Sequence, residues 1–507
     1  MAMLRSLTTR KSPLAYEQLK DEAPLFEPKL SRTASASVFS SSSSKKVTMS
    51  EETKSQAKKA DKASKIHPIF SLFDGRRKSK KVTARPEFSR YVQYLKEGGF
   101  GVTASDGFIR TKGIHFLLNG YPFYANGFNA YWLMYMASDP SQRSKVSEAF
   151  RDASSHGLTV ARTWAFSDGG YNPLQYAPGS YNEHMFKGLD FVIAEAKKYG
   201  IRVILSLTNN YDSFGGKKQY VNWARAQGQY LTSEDDFFTN SVVKTYYKNH
   251  VKTVLNRLNT FSGVEYKNDP TIMAWELMNE PRCTSDPSGK TIQSWITEMA
   301  DYVKSIDTNH LVEAGLEGFY GKTSPQRTNL NTNVNIGTDF IANNAVPAID
   351  FATTHIYPDQ WLTSSNDQTQ LSFLSDWLNA HIQDSQDILN KPLLISEFGK
   401  SQDDPGFTAD QRDLLYKTVY YNIYSSARRG GAAAGGLFWQ LLAEGIDNFG
   451  DGYEIILSRR TSTANLIAQQ SHKLYQIRRI FATMTGIESV KRAGAISRGR
   501  GRRQIGN

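Results

Sequence analysis

The sequence predicts an α/β fold: a (β/α)8 TIM barrel with enlarged loops, preceded by a largely disordered, basic N-terminal extension. Two patterns predict the barrel. From about residue 108 onward, short apolar runs that read as strands recur at 123–130, 159–166, 202–208, 271–278, 311–317, 350–357, 392–398 and 434–440. Between them lie longer stretches such as SKVSEAFRDASSHG, NEHMFKGLDFVIAEAKKYG, SEDDFFTNSVVKTYYKNHVKTVLNRL and TADQRDLLYKTVYYNIYSSARRG. Their apolar residues return every three or four positions, the period of an amphipathic helix. Strands that are apolar nearly throughout, alternating with such helices, predict a parallel sheet buried on both faces. Eight strands in about 370 residues fit a closed barrel. A doubly wound open sheet is the alternative, weakened because no Gly-rich phosphate loop follows any run.

The third observation is a change of texture near residue 100. SRTASASVFSSSSSKKVTMS (31–50) is Ser-rich, and EETKSQAKKADKASK follows it, charged and without a core-forming pattern. Both read as disordered. The expected organisation is a basic, Ser-rich extension over 1–99, a catalytic domain over 100–490 and a basic disordered tail over 491–507.

Charge follows the same division. The formal net charge of +12 invites a nucleic-acid reading, but 21 basic and 10 acidic residues lie in 1–99, and six basic and no acidic residues lie in 491–507. The middle carries 34 basic and 39 acidic residues, so the body is mildly acidic and a polyanion site within it is not expected. Cys283 is the one cysteine, which excludes an intrachain disulfide. No apolar run approaches 18 residues, so no membrane span is expected. The first thirty residues lack the apolar segment of a signal peptide.

In barrels of this kind, chemistry sits at the C-terminal ends of the strands. Trp132 lies just beyond the first end, and Arg162 and Trp164 lie on the second. Asn209 and Asn210 follow the third, Asn279 and Glu280 the fourth, and Glu317 the fifth. His355 and Tyr357 end the sixth, Glu397 the seventh and Trp439 the eighth. The set is polar and aromatic. His355 has no neighbouring His or Cys at metal-ligand spacing, and no serine sits in a G-x-S-x-G setting. No metal and no cofactor is expected. Two glutamates with aromatic platforms nearby suit glycoside hydrolysis, which needs one carboxyl to donate a proton and another to act ionised.

AWELMNEP and LLISEFG, whose glutamates Glu280 and Glu397 are 117 positions apart, resemble glycoside hydrolase family 5, a barrel family of retaining glycosidases. NGFNAYWL, VARTWAFSDGGYNPLQ, WELMNEPRC, GLEGFYG, THIYPDQW, ISEFGKS and GLFWQLL are together similar to its plant endo-β-1,4-mannanases over about residues 100–490. The resemblance implies that Glu280 is the acid/base and Glu397 the nucleophile. It implies that Asn279 bonds the sugar 2-hydroxyl, that Arg162 and Tyr357 hold Glu397, that His355 lines the same subsite, and that Trp439 is the platform beside the cleaved bond. Trp132, Trp164 and Trp361 are groove candidates. Glu317 is expected in a structural ion pair, and Asn209 or Asn210 takes the place of a histidine that many family members carry after the third strand.

The implied substrates are mannan, galactomannan and glucomannan, hydrolysed by a monomer that binds no nucleic acid. The resemblance implies secretion to the cell wall; without a recognisable leader, a cytoplasmic enzyme is the alternative. Residues 1–99 match nothing in the family and read as foreign to it, a fusion or a wrongly joined exon. A glucanase of the same superfamily, a transglycosylase, a carbohydrate-binding protein without activity and a nucleic-acid binder acting through its charged ends are the other readings.

Overall fold

The computed structural model describes residues 107–332 and 334–480. Both expected domain boundaries, the extension and the tail lie outside these residues. All eight expected strands form: β1 (Ala125–Asn129), β2 (Val160–Trp164), β3 (Arg202–Ser206), β4 (Ile272–Glu276), β5 (Leu311–Glu313), β6 (Ala352–Ile356), β7 (Leu393–Phe398) and β8 (Ala433–Phe438). Every residue in them except Arg202 is buried, as expected for strands covered on both faces.

The strands pair in parallel in the order β5-β4-β3-β2-β1-β8-β7-β6. The seam between β5 and β6 is bridged by Asp350 N–H donating to the Val312 carbonyl and His355 N–H donating to the Glu317 carbonyl, each at 2.8 Å. The result is a nearly closed barrel. Around it lie α1 (Arg143–Ser155), α2 (Glu183–Lys198), α3 (Ser241–Leu255), α4 (Lys290–Ile306), α5 (Asp367–Asp384) and α6 (Ala409–Arg428), with a last helix from 462 to 480. No helix among the described residues is long and apolar enough to cross a membrane.

Three details differ from the sequence expectation. The helical stretch expected over 233–258 is broken into a short 3-10 turn, Glu234–Phe238, and α3. Ser233 and Asp236 form a capping box on the turn, and the Asn240 side chain accepts from the N–H groups of Val242 and Val243, starting a new helix. The fifth strand was expected over 311–317 but leaves the ladder after Glu313. Gly315 turns the chain there with φ of 82°, and a Cβ at that position would stand 1.8 Å from the Met278 carbonyl oxygen. Only glycine allows this approach.

The third difference is a three-stranded antiparallel sheet, Ile109–Lys112, His115–Leu118 and Tyr121–Phe123, ahead of β1. Its second turn is Asn119-Gly120, both at positive φ, a hairpin dipeptide that matches strand twist. Ile109, Phe116 and Phe123 share one buried cluster with Val160, Ile204, Met273, Leu311, Leu394 and Leu437. The sheet therefore plugs the barrel at the end where the strands begin.

Candidate active site

Arg162, the third residue of β2, organises the opposite end. It is fully buried, and its guanidinium reaches four side chains. Nη1 donates to Glu397 Oε1 at 2.7 Å and to Asn129 Oδ1 at 3.0 Å. Nε and Nη2 donate to the two oxygens of Glu276 at 2.6 and 2.7 Å, and Nη2 also donates to Asn279 Oδ1 at 2.7 Å. Burial alone would favour the neutral guanidine, but Glu276 and Glu397 outweigh it and hold the group charged. The planar fork lets one side chain serve β1, β4 and β7 together.

Glu397 receives a second donor, the Tyr357 hydroxyl, at 2.6 Å to Oε2. One donor on each oxygen fixes the carboxylate plane. An irregularity in the β6–β7 pairing helps place it. Thr354 pairs with Ile395, but His355 pairs with Glu397, so Ser396 is passed over and the glutamate comes level with the histidine.

Glu280 lies four residues beyond Glu276, past the end of β4. Its φ of 52° is left-handed, an uncommon conformation for a residue with a side chain, and its N–H donates to the Gly315 carbonyl at 2.9 Å. Its Oε1 shares a 2.6 Å hydrogen bond with His355 Nδ1, which also lies 3.7 Å from Glu397 Oε2. One oxygen each of Glu280 and Glu397 and one ring nitrogen of His355 lie within 4.8 Å of one another. Among the described residues this is the one group of His, Cys, Asp and Glu compact enough to hold a metal ion.

Asn279 Nδ2 donates to Asn209 Oδ1 at 3.0 Å, so of the two candidates after β3 it is Asn209 that touches the cluster through its side chain. Asn210 contributes its backbone N–H to the Asn279 carbonyl. Glu317 is in the ion pair expected of it: Arg282 Nη2 and Nε donate to its two oxygens at 2.5 and 2.8 Å.

The aromatic candidates divide. Trp439 and Trp164 stand 6.1 Å apart between ring centroids, and Tyr131 stacks on Trp439 at 6.0 Å with 15° between planes. The Trp164 ring also lies 5.2 Å from the Arg162 guanidinium carbon, which ties this wall to the carboxylates. The Trp439 indole N–H donates to Asp451 Oδ2 at 2.6 Å. Trp132, the third groove candidate, is fully buried; its N–H donates to the Leu441 carbonyl at 2.9 Å and its ring packs on Phe449. Trp361 packs on Phe319 at 4.9 Å and on Trp377 at 5.0 Å.

Sequence reasoning missed Asn129, Glu276, Glu313, Tyr131 and Asp451. Glu276 carried a signal, being a carboxylate inside an apolar strand. Asn129 at the end of β1 donates to the carbonyls of Ser396, Leu437 and Phe438, and its polar strand-end position within NGFNAYWL was the signal for it.

A barrel mouth with two close carboxylates, an arginine clamp and an indole wall is the architecture of a glycoside hydrolase. Residues 106–447 match the family model described as GH family 5 beta-mannosidase-like, and the chain belongs to that family. It is 66% identical over 410 residues to mannan endo-1,4-beta-mannosidase 7 of Arabidopsis thaliana, covering 81% of this chain and 94% of that protein. It is 65% identical over 379 residues to mannan endo-1,4-beta-mannosidase 1 of Oryza sativa subsp. japonica, covering 74% and 88%. Among solved structures it resembles the endo-1,4-beta-D-mannanase of Thermotoga petrophila, with a TM-score of 0.61 and 31% identity over 69% of this chain and 99% of that one. The endo-1,4-beta-mannanase of Rhizomucor miehei gives 0.61 and 31% over 73% and 99%.

Proposed function

We propose that the protein hydrolyses internal β-1,4-mannosidic linkages in mannan, galactomannan and glucomannan, with retention of anomeric configuration. Glu397 is the nucleophile. Arg162 and Tyr357 stabilise its ionised form and aim it at the anomeric carbon. Glu280 is the acid/base: it protonates the departing glycosidic oxygen, then takes a proton from the water that releases the mannosyl enzyme. Asn279, next to Glu280 in the chain and bonded to the Arg162 that holds Glu397, bonds the 2-hydroxyl, and Trp439 offers an apolar face to the ring.

The observation that carries this reading is the separation of the carboxylates. Oxygens of Glu280 and Glu397 lie within 4.8 Å of each other. Retaining enzymes hold their carboxyl groups about 5–5.5 Å apart, whereas inverting ones need about 6.5–9.5 Å to admit a water between them. The relatives named for endo-mannosidase activity support the choice of mannan over glucan.

Following the anomeric protons of fresh product from a β-mannan oligosaccharide by NMR tests the mechanism. The β anomer is expected first, and initial release of the α anomer would overturn retention. Rates on galactomannan, glucomannan and carboxymethyl cellulose test the substrate, and a preference for the last would favour a glucanase. A cell-wall polymer as substrate places the enzyme outside the cell and needs no partner chain. Activity in extracellular fluid and a monomeric mass by light scattering are the expected results.

A further inference from the structure

Glu276 and Glu313 occupy facing positions on β4 and β5, both fully buried. Neither was needed to describe the reaction. Three carboxylates, Glu276, Glu313 and Glu397, thus stand near the single guanidinium of Arg162. One positive charge cannot compensate three buried anions, so one of them must carry a proton. Geometry selects which. Glu276 takes two short bonds from Arg162, and Glu397 takes one from Arg162 and one from Tyr357. Among the described residues Glu313 receives no bond from a cation; it faces Glu276 across the β4–β5 ladder, its Oε1 is buried with no other hydrogen-bond partner, and its Oε2 accepts the Gly315 N–H at 2.5 Å and the Thr353 hydroxyl at 3.4 Å. Burial first, and the charge of Glu276 second, push its carboxyl well above the ordinary range, while Arg162 outweighs burial at Glu276 and holds that group below it.

The pair touches both carboxylates of the proposed reaction. Through Arg162, Glu276 reaches Glu397. Through Gly315, whose N–H binds Glu313 and whose carbonyl receives the Glu280 N–H, Glu313 reaches Glu280. We propose that Glu276 and Glu313 form a positioning pair, a carboxylate and a carboxylic acid sharing one proton, that clamps Arg162 and Gly315 and so fixes both reacting glutamates. This rests on the assignment of Glu397 and Glu280 given above. The pair also answers a charge problem in the reaction. When Glu397 becomes a glycosyl ester its negative charge disappears, and Glu276 still compensates Arg162 inside the barrel.

The groups facing Glu276 are Arg162 from β2, Ser206 from β3, Glu313 from β5 and Tyr247 from α3. Those facing Glu397 are Arg162, His355 and Tyr357, with Glu280 close by. Replacing Glu276 by glutamine removes one negative charge from Arg162, so the field at Glu397 becomes more positive.

The test compares Glu276→Gln, Glu313→Ala, Glu313→Gln and Glu397→Gln on a soluble galactomannan, with thermal unfolding of each variant. Glu276→Gln is expected to lower kcat about a hundredfold, the scale of a small misplacement at a reacting centre, with KM nearly unchanged. The acid limb of its kcat/KM profile should move to lower pH, because Glu397 becomes easier to ionise. A structural role would lower the melting temperature and leave that limb in place. Glu313→Ala is expected to lose kcat, and Glu313→Gln, which keeps a neutral donor and acceptor, to recover most of it. If Glu276→Gln does not fold, the two Glu313 variants decide alone. An unmoved acid limb, or a glutamine no better than alanine at 313, overturns the pair. An active Glu397→Gln would instead bring down the two-glutamate mechanism, so the two failures are told apart.

Discussion

The two ends of the barrel are built from the same strands and have opposite chemistry. β2 begins at Val160 in the apolar floor and reaches Arg162 two residues later. β4 carries Met273 in the floor and Glu276 at the mouth, and β7 carries Leu394 and then Glu397. The floor is closed by Ile109, Phe116 and Phe123 against aliphatic side chains, with Phe116 edge-on to Phe351 at 5.0 Å. The mouth is closed by hydrogen bonds among charged groups. One end contributes stability through burial alone, and the other spends stability to hold charges in place. The two should therefore fail differently when perturbed.

The largest effect is expected at the mouth. Arg162→Lys keeps the charge but cannot span Glu276, Glu397, Asn129 and Asn279, so kcat should fall about a thousandfold in steady-state assays. At the floor, Phe116→Ala should cost about 3–5 kcal/mol in denaturant unfolding while kcat and KM, measured well below the melting temperature, stay at the wild-type values. If Phe116→Ala altered kcat at full folding, the separation of the two ends would be lost. A smaller effect is expected at the indole wall. Asp451→Ala removes the carboxylate that accepts the Trp439 N–H, a loss of about 1–3 kcal/mol that should lower the melting temperature by a few degrees, and should raise KM about tenfold.

The mildest comparison uses pH, with opposite signs at the two ends. Burial pushes the imidazole of His115, in the floor sheet, down to about 3. The native protein excludes a proton that the unfolded chain takes up below about 6.5, so this contribution is complete above that pH and is lost as pH falls toward the native value. Burial pushes Asp168, on the mouth side beyond β2, up to about 8, against hydrogen bonds that favour its ionised form. Here the native protein holds a proton that the unfolded chain releases above about 4, so stability is complete below that pH and is lost as pH rises. Asp168→Asn should flatten the alkaline side of a melting temperature–pH curve and His115→Gln the acid side. Coinciding curves for the two variants would refute the assignment.

Much of this was legible in the sequence because it depends on local pattern. Strand positions followed from apolar runs, and the polar ends of those runs gave Arg162, Asn279, Glu280, His355, Tyr357 and Glu397, which the structure gathers into one cluster. What stayed hidden depends on distant partners. Glu276 stayed unmarked in β4 because the arginine that explains it lies 114 residues earlier. Trp132 read as a groove candidate and Trp439 as a platform, and the acceptors of their indoles, the Leu441 carbonyl for one and Asp451 for the other, could not be read from the sequence. The floor sheet was a different case: Asn119-Gly120 is a local hairpin signal, but strands of three and four residues are too short to show a period.

The central claim is that Glu397 forms a covalent bond to the sugar from the position set by Arg162 and Tyr357. Incubation with a 2-deoxy-2-fluoro-β-mannoside bearing a good leaving group, followed by peptide mass spectrometry, tests it most directly. One fluoromannosyl unit on Glu397, absent from Glu397→Gln, is the predicted result. A label on another carboxylate, or steady turnover of the reagent with no adduct on Glu397, would contradict it.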